Sequence, residues 1–596
     1  MAGMERRTPT RRPAGAVLAR GEPREPCVSP GQRKPQGHAA AGFRSARPVS
    51  LQWQRCECRA DFSPRQGSRG VGSPEIEVRP LCRWWDTMLA SQLIGDLPRH
   101  NLAAVAKHYL GREIDKEEQT SDWGGELTRS QLAYAALDAV VVRPLAQRLR
   151  EELQATGQEN AHRLDCQMIS PCADGQARGL AVNLTSVAQC REHATAERLQ
   201  KVQTLQKLLG IENYRSALKL KEALIEHLGE TISDTQQKTL ERYRSAPAIE
   251  LLIEIKALDQ ELKELTWLEQ EQALTDGRVR PTYKILGART GRTTTSALLP
   301  ANRSQVPSDT EFFGPKAQKA GQPKPVKLGQ VGFNFQGLTG ERKQALHTGD
   351  ANTVLLDLDW SSIEVRLQAS PRLYNDAGQR KILLEGIDPH AYIASQVCGR
   401  PIGSEAPERK TIGKVANFSL AYGCGVNNLA RQLHLAQGKP ISYAQAEKVY
   451  KAWHRFHPEI SREMALYASG ARVTEARSLS GRRMNYRGVS IDNESICPRL
   501  ELGRTNGINF PIQGTGRDLL ADALGDLWPA LEQFPGTCVV GLIHDEILLE
   551  VNRRDVEAVK ATTLGVMTSK RLQKAYLGDI PLEADAKVGE TLGEAH

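Results

Sequence analysis

The sequence predicts an α+β protein of several domains, and three observations carry that prediction. Between residues 196 and 271, apolar residues recur at i, i+3, i+4 and i+7, the pattern of amphipathic helices. Two strongly apolar runs far apart in the chain, TVLLDLDW and CVVGLIHDEILLEV, read as strands, with mostly helical texture between them. The length of 596 residues corresponds to about four domains at ~150 residues each.

Taken in order, residues 1–83 are rich in Arg, Pro, Gly and Ser and hold no sustained period of 2 or 3.6, so they are expected to be disordered. A basic tail, an organelle transit peptide and an artefactual start upstream of the true gene all fit them. The abrupt change of texture at Trp84 favours the artefactual start. WWDTMLASQLIG and LTRSQLAYAALDAVVVRPLAQRLREEL then bracket a short segment of α/β character. Helices follow at ERLQKVQTLQKLLG, SALKLKEALIEHLG and AIELLIEIKALDQELKELTWLEQE. Residues 297–331 form a long loop rich in Pro, Gly and Lys, which at that length reads as functional or mobile. No internal repeat is present.

Bulk charge says less than it first suggests. The net charge is +9, but residues 1–80 hold fifteen Lys or Arg against seven Asp or Glu, leaving +1 for the rest. Any nucleic-acid binding by the body of the chain must therefore use local patches. The eleven cysteines are dispersed without paired spacing, as in a reduced cytoplasmic protein. No run of ~18 apolar residues suggests a membrane span. There is no Walker P-loop.

Three segments carry chemistry. In VVGLIHDEILLEV, His544, Asp545 and Glu546 interrupt an apolar hairpin, where charge is costly unless paired or bound to a cation. A solvent-exposed turn is the plain alternative, but His-Asp-Glu lacks the Gly, Asn and Pro that turns prefer. In TVLLDLDWSSIEVRLQAS, Asp357 and Asp359 fall on one strand face, and a helix is expected to begin near Ser361 as N-cap. The plain alternative there is an acidic helix start. In KTIGKVANFSLAYG, Lys410, Lys414, Phe418 and Tyr422 recur every fourth residue and would share one helical face. Two carboxylates ending apolar strands suit hard divalent cations such as Mg²⁺. Two such ions can clamp an in-line phosphoryl transfer. The lysines could then hold a triphosphate, and the rings a base and sugar.

Together these segments resemble the family A DNA polymerases, the bacterial DNA polymerase I group. DLDWSSIEVR is similar to that family's motif A, KTIGKVANFSLAYG to motif B and the HDE hairpin to motif C. TGR, NFQ, NFPIQGTGRD and IPLEADAKVGE fall in the family's order around them. The resemblance implies a right-hand fold over residues 153–596, with a thumb at about 190–270, a palm at about 271–375 and 505–596, and fingers at about 376–504. It implies a monomer that adds dNTPs to primer-template DNA with two Mg²⁺ ions, in DNA replication or repair.

Carried over by position, Asp359 and Asp545 would hold the metals beside Glu546, with the backbone carbonyl of Trp360 facing an ion. Glu364 would crowd the sugar 2′ position. Lys414 would contact the phosphates and protonate the leaving pyrophosphate. His390 and Lys410 would reach the triphosphate, and Phe418 and Tyr422 would sit against the incoming sugar and base pair. Arg292, Asn334, Gln336, Gln513 and His544 would touch primer and template in the minor groove, where readout is degenerate. Trp360 replaces the family's usual Tyr and Lys410 its Arg, with Arg409 one place out of register. Either triphosphate affinity is reduced, because Lys lacks the bidentate fork, or Arg409 reaches in.

Residues 84–152 resemble the end of a DnaQ- or ribonuclease D-like 3′–5′ exonuclease. Tyr134 and Asp138 match its last motif, and the D-x-E and N-x3-D motifs are absent from residues 1–133. The exonuclease is expected to be inactive. A non-catalytic nucleic-acid-binding relic and a single-subunit RNA polymerase-like enzyme remain as alternatives. The acidic pair argues against the first and Glu364 against the second.

Overall fold

A computed structural model describes residues 84–240, 243, 246–274, 276–288, 290–297, 335–338, 340–468, 476–483 and 507–596. The expectations for residues 1–83, for nearly all of the 297–331 loop and for Asn334 lie outside the described residues.

The segment from residue 84 onward is helical where an α/β texture was expected. Helices α1 (Thr87–Ile94), α2 (Leu102–Leu110) and α3 (Arg129–Thr156) share one core built from Leu93, Val105, Val141, Leu145 and Leu149. Each start is capped by a side chain: Asp86 for α1, Asn101 for α2, and a capping box of Thr128 and Gln131 for α3. No strand occurs among the described residues from 84 to 179, because this core is closed by helix on helix.

Two long helices follow, α4 (Leu184–Leu209) and α5 (Pro247–Leu274). Arg191 pairs with Glu269 at 2.6 Å, Arg198 with Asp259 at 2.5 Å and Lys201 with Glu254 at 3.0 Å. Partner numbers that fall as the first numbers rise make the two helices antiparallel. Between them SALKLKEALIEHL forms the helix its periodicity predicts, Ala217–Leu228, started by Ser216 and stopped by Gly229.

The functional residues hang on one antiparallel sheet. Its strands are β1 (Thr353–Trp360), β2 (Cys538–Ile543), β3 (Glu546–Asn552) and β4 (Ala584–Gly589), in the order β2-β3-β1-β4. Both faces are covered. Leu356, Leu358 and Trp360 face Ile512, Leu519 and Leu520 of helix Gly507–Ala530, in one core. Leu355 and Leu548 face Leu265, Leu346 and Leu592 in another. By strand alternation Asp357 and Asp359 lie on the Leu355 side. That face passes from fully buried Leu355, through Asp357, to exposed Asp359.

Three local expectations need correction. His544 and Asp545 are the turn itself, since Ile543 pairs directly with Glu546 across the hairpin. His544 adopts φ of 57°, a left-handed conformation usually left to Gly or Asn. The helix after β1 does not start on Ser361. The strand continues to Trp360, which pairs with Ala584, and the Ser361 hydroxyl binds Asp585 at 2.7 Å. Ser362 then makes a left-handed step (φ 52°) into α6 (Ile363–Ala369) without a side-chain cap. Finally, residues Arg409–Lys414 form a π-helix that passes into α8 (Val415–Ala421). The wider turn lies where the chain passes α7 (Pro389–Cys398). Gly413 permits that approach, because a Cβ there would overlap the carbonyl oxygen of His390.

Candidate active site

The β2–β3 turn delivers Asp545 to the end of the sheet where β1 presents Asp359, and the two carboxylates feel one another's charge. The pKa of Asp359 rises to about 7, through loss of water and then through Asp545, Asp357 and Asp585. Asp359 is itself exposed, so crowding by like charges is the more durable cause. Glu546 rises to about 8, by burial first and then by Asp357 and Asp359. Asp545 is also raised, chiefly by burial. Oxygen donors that hold protons against one another near neutral pH form a donor set that a hard divalent cation fits. The Trp360 side chain is buried and donates its indole N–H to the Met567 carbonyl at 3.0 Å.

The stripe survives the π-helix in altered form. Lys410, Lys414 and Phe418 are exposed, while Tyr422 is half-buried at the end of α8. The Lys414 ammonium lies 5.7 Å from the centre of the Phe418 ring. Arg409 does not reach into the site: its Nε is held at 2.6 Å by Asp388, which also caps α7 by accepting from His390 N and Ala391 N.

His390 lies behind the stripe, 3% exposed, with its ring stacked 6.2 Å from that of Phe418. The Trp453 indole donates to Asn417 Oδ1 at 2.9 Å, which fixes the amide so that Asn417 Nδ2 donates to His390 Nδ1 at 2.9 Å. The proton of the neutral ring therefore sits on Nε2, 3.4 Å from the Ser362 hydroxyl. Burial lowers the His390 pKa to about 4, so the ring is uncharged at neutral pH. No motif marks Asn417 or Trp453 as its support.

Arg292, Glu364, Tyr422 and Gln513 form one connected group. Glu364 accepts from Arg292 at 2.7 Å and from the Tyr422 hydroxyl at 3.1 Å, and that hydroxyl accepts from Gln513 at 2.5 Å. Gln336 donates to the Leu542 carbonyl at 2.9 Å, behind the turn that carries exposed His544. Beneath this group, fully buried Arg482 binds Asp165 at 2.7 Å and Asp518 at 2.9 Å, and Arg517 reaches Asp165 at 2.5 Å. Asp518 stands in NFPIQGTGRD, but its partners lie so far away in the chain that spacing could not reveal them.

In the 84–156 segment, Lys116 donates to the Tyr134 hydroxyl at 3.0 Å and to Asp138 at 3.3 Å. A lysine thus lies against both side chains that match the exonuclease motif.

The sequence profile described as DNA polymerase family A matches residues 185–594, and that of a 3′–5′ exonuclease matches residues 77–154. The chain is 26% identical to DNA polymerase I of Aquifex aeolicus over 85% of this chain and 83% of that protein. It is 25% identical to the thermostable DNA polymerase I of Thermus thermophilus over 93% of this chain and 63% of that one. Among solved structures, the POL domain of Pol1 from M. smegmatis superposes with a TM-score of 0.65 at 21% identity, covering 86% of this chain and 82% of that domain.

Proposed function

Because the chain belongs to DNA polymerase family A, we propose that it extends a primer 3′ end along a DNA template at the site built from Asp359, Asp545 and the Lys410–Tyr422 stripe. The observation that carries this reading is the meeting of Asp359, from the end of β1, and Asp545, from the β2–β3 turn, in a carboxylate crowd that raises Asp359 to about 7. The family works with divalent ions, and Mg²⁺ is the ion proposed here, held by Asp359, Asp545 and the Trp360 carbonyl beside Glu546. Bound there, it would supply charge neutralisation to the attacking and leaving oxygens.

The chain's own groups divide the remaining work. Lys414 and Lys410 hold the triphosphate as point charges, and Lys414 passes a proton to the departing pyrophosphate. Neutral His390 donates from Nε2 toward phosphate oxygens. Phe418 and Tyr422 bear on sugar and base, and Glu364, fixed by Arg292 and Tyr422, fills the space a 2′ hydroxyl would need. Arg292, Gln336, Gln513 and His544 line the path of the duplex, with Asn334 assigned to it by resemblance alone. Residues 190–270, 271–375 with 505–596, and 376–504 serve as thumb, palm and fingers of a monomer. The solved M. smegmatis domain, in complex with DNA primer-template and dNTP, supports these partners. The pairing of Asp138 with Lys116 supports an exonuclease segment without activity of its own.

Primer extension with dNTPs, with rNTPs and with no nucleotide tests the reading. Asp359→Ala and Asp545→Ala should each abolish extension while duplex binding persists, since affinity comes mainly from phosphate contacts. Substantial extension by either variant, or a preference for rNTPs, would overturn it.

A further inference from the structure

Asp357 takes no part in the chemistry above, yet it is buried on the same sheet face as Asp359, with 7% of its surface exposed. Its Oδ1 has no hydrogen-bond partner among the described residues. A buried carboxylate oxygen left unpaired costs on the order of 1–3 kcal/mol or more, so such atoms call for an explanation. His596 closes the group. Its Nδ1 lies 3.0 Å from Glu546 Oε2 and 3.4 Å from Asp357 Oδ2. One ligand atom from each of the three residues falls within 4.8 Å of the other two. Ligands held ~2.1 Å from an ion are about 3.0 Å apart when octahedral and about 3.4 Å when tetrahedral. The two observed separations fall within that 3.0–3.4 Å range and so permit a common ion without fixing its geometry.

We propose that Asp357, Glu546 and His596 form an additional cation site, adjoining the Asp359–Asp545 pair through Glu546, for a first-row divalent ion such as Mn²⁺ or Zn²⁺. The donor set of two carboxylates and one imidazole selects such ions over Mg²⁺, which prefers oxygen and water alone. The residue that carries the ring is anchored through its backbone. The Lys587 ammonium donates to the His596 carbonyl at 2.7 Å, and His596 N donates to the Leu592 carbonyl at 3.1 Å. Lys343 and Lys587 also lie near Asp357 and offset part of the negative charge. They supply no lone pair, so the convergence of three ligand atoms remains unexplained by them.

Mn²⁺ is the probe, used on the full chain carrying Asp359→Ala and Asp545→Ala so that the proposed nucleotidyl-transfer pair is absent. One Mn²⁺ per chain should still bind, and pulsed electron paramagnetic resonance should show coupling to an imidazole nitrogen. That coupling should vanish in His596→Gln, and Asp357→Asn should weaken Mn²⁺ binding at least about 10-fold. Absence of saturable binding in this background would overturn the proposal. So would nitrogen coupling that survives His596→Gln, because another histidine would then be the ligand. Primer extension by the chain with Asp359 and Asp545 intact is scored separately, so failure of the polymerase reading and failure of this one are distinguishable.

Discussion

Replacing Glu364 with Ala removes a side chain that is only 13% exposed and that accepts from Arg292 and Tyr422 together. Two effects follow from separate parts of the geometry. The charge-assisted bond at 2.7 Å is lost, and the Arg292 guanidinium keeps only the longer-range attraction of Asp545. For a pair so placed the cost to stability is about 2 kcal/mol. The Tyr422 ring stays in place, since Gln513 still donates to its hydroxyl. The freed volume admits a 2′ hydroxyl, and discrimination by bulk against so small a group is worth about 1–3 kcal/mol, or roughly 10- to 200-fold. Glu364→Gln separates bulk from charge. It keeps the volume and a bond to Tyr422 while giving up the ion pair. Steady-state single-nucleotide incorporation with dNTP and with the matching rNTP yields the ratio of the two kcat/KM values. The ratio should fall by that factor in Glu364→Ala and stay near wild type in Glu364→Gln. If it is unchanged in the alanine variant, or falls equally in both, Glu364 does not act by filling space.

Arg482 holds two buried aspartates at once, so Arg482→Met should destabilise the chain by about 3–5 kcal/mol, read as a lower denaturant midpoint; a loss under about 1 kcal/mol would show that Arg517 suffices alone. His390 has a folded pKa of about 4, below its ordinary 6.5, so its stabilising effect is fully present above 6.5 and lost as pH falls through 4. That shift corresponds to about 3 kcal/mol, and unfolding of wild type against His390→Gln from pH 7 to pH 4 should show the smaller pH dependence in the variant; parallel profiles would refute it. With Mg²⁺ and no dNTP, a 3′-mismatched labelled primer should remain intact. Shortening that disappears in Asp138→Ala would mean Lys116 yields that carboxylate to a metal.

What the sequence made legible were features carried within a few residues. Asp359 and Asp545 stood out as charges in apolar strands, and Ser216 and Gly229 bracketed a helix where their chemistry required. The misreadings have equally local causes. His-Asp was rejected as a turn on composition, although the β2–β3 pairing forces His544 into a left-handed conformation. The π-helical turn left no periodic trace, since the widening depends on α7 passing beside Gly413 and not on helix propensity. Asp165, Arg482 and Asp518 are hundreds of residues apart at the extremes, and His390 depends on Asn417 and Trp453 across two other helices. Such groups become visible only when tertiary contacts bring them together.

Asp388 has a consequence for how the stripe can move. It grips the first turn of α7 through two backbone amides and the start of the π-helix through Arg409, while Gly413 seats the far end of that π-helix against the His390 backbone. A segment fastened at both ends to the same partner has no independent hinge. The backbones that carry His390 and Lys414 are therefore tied to one another, and a rotation of α7 carries both ends of the π-helix with it.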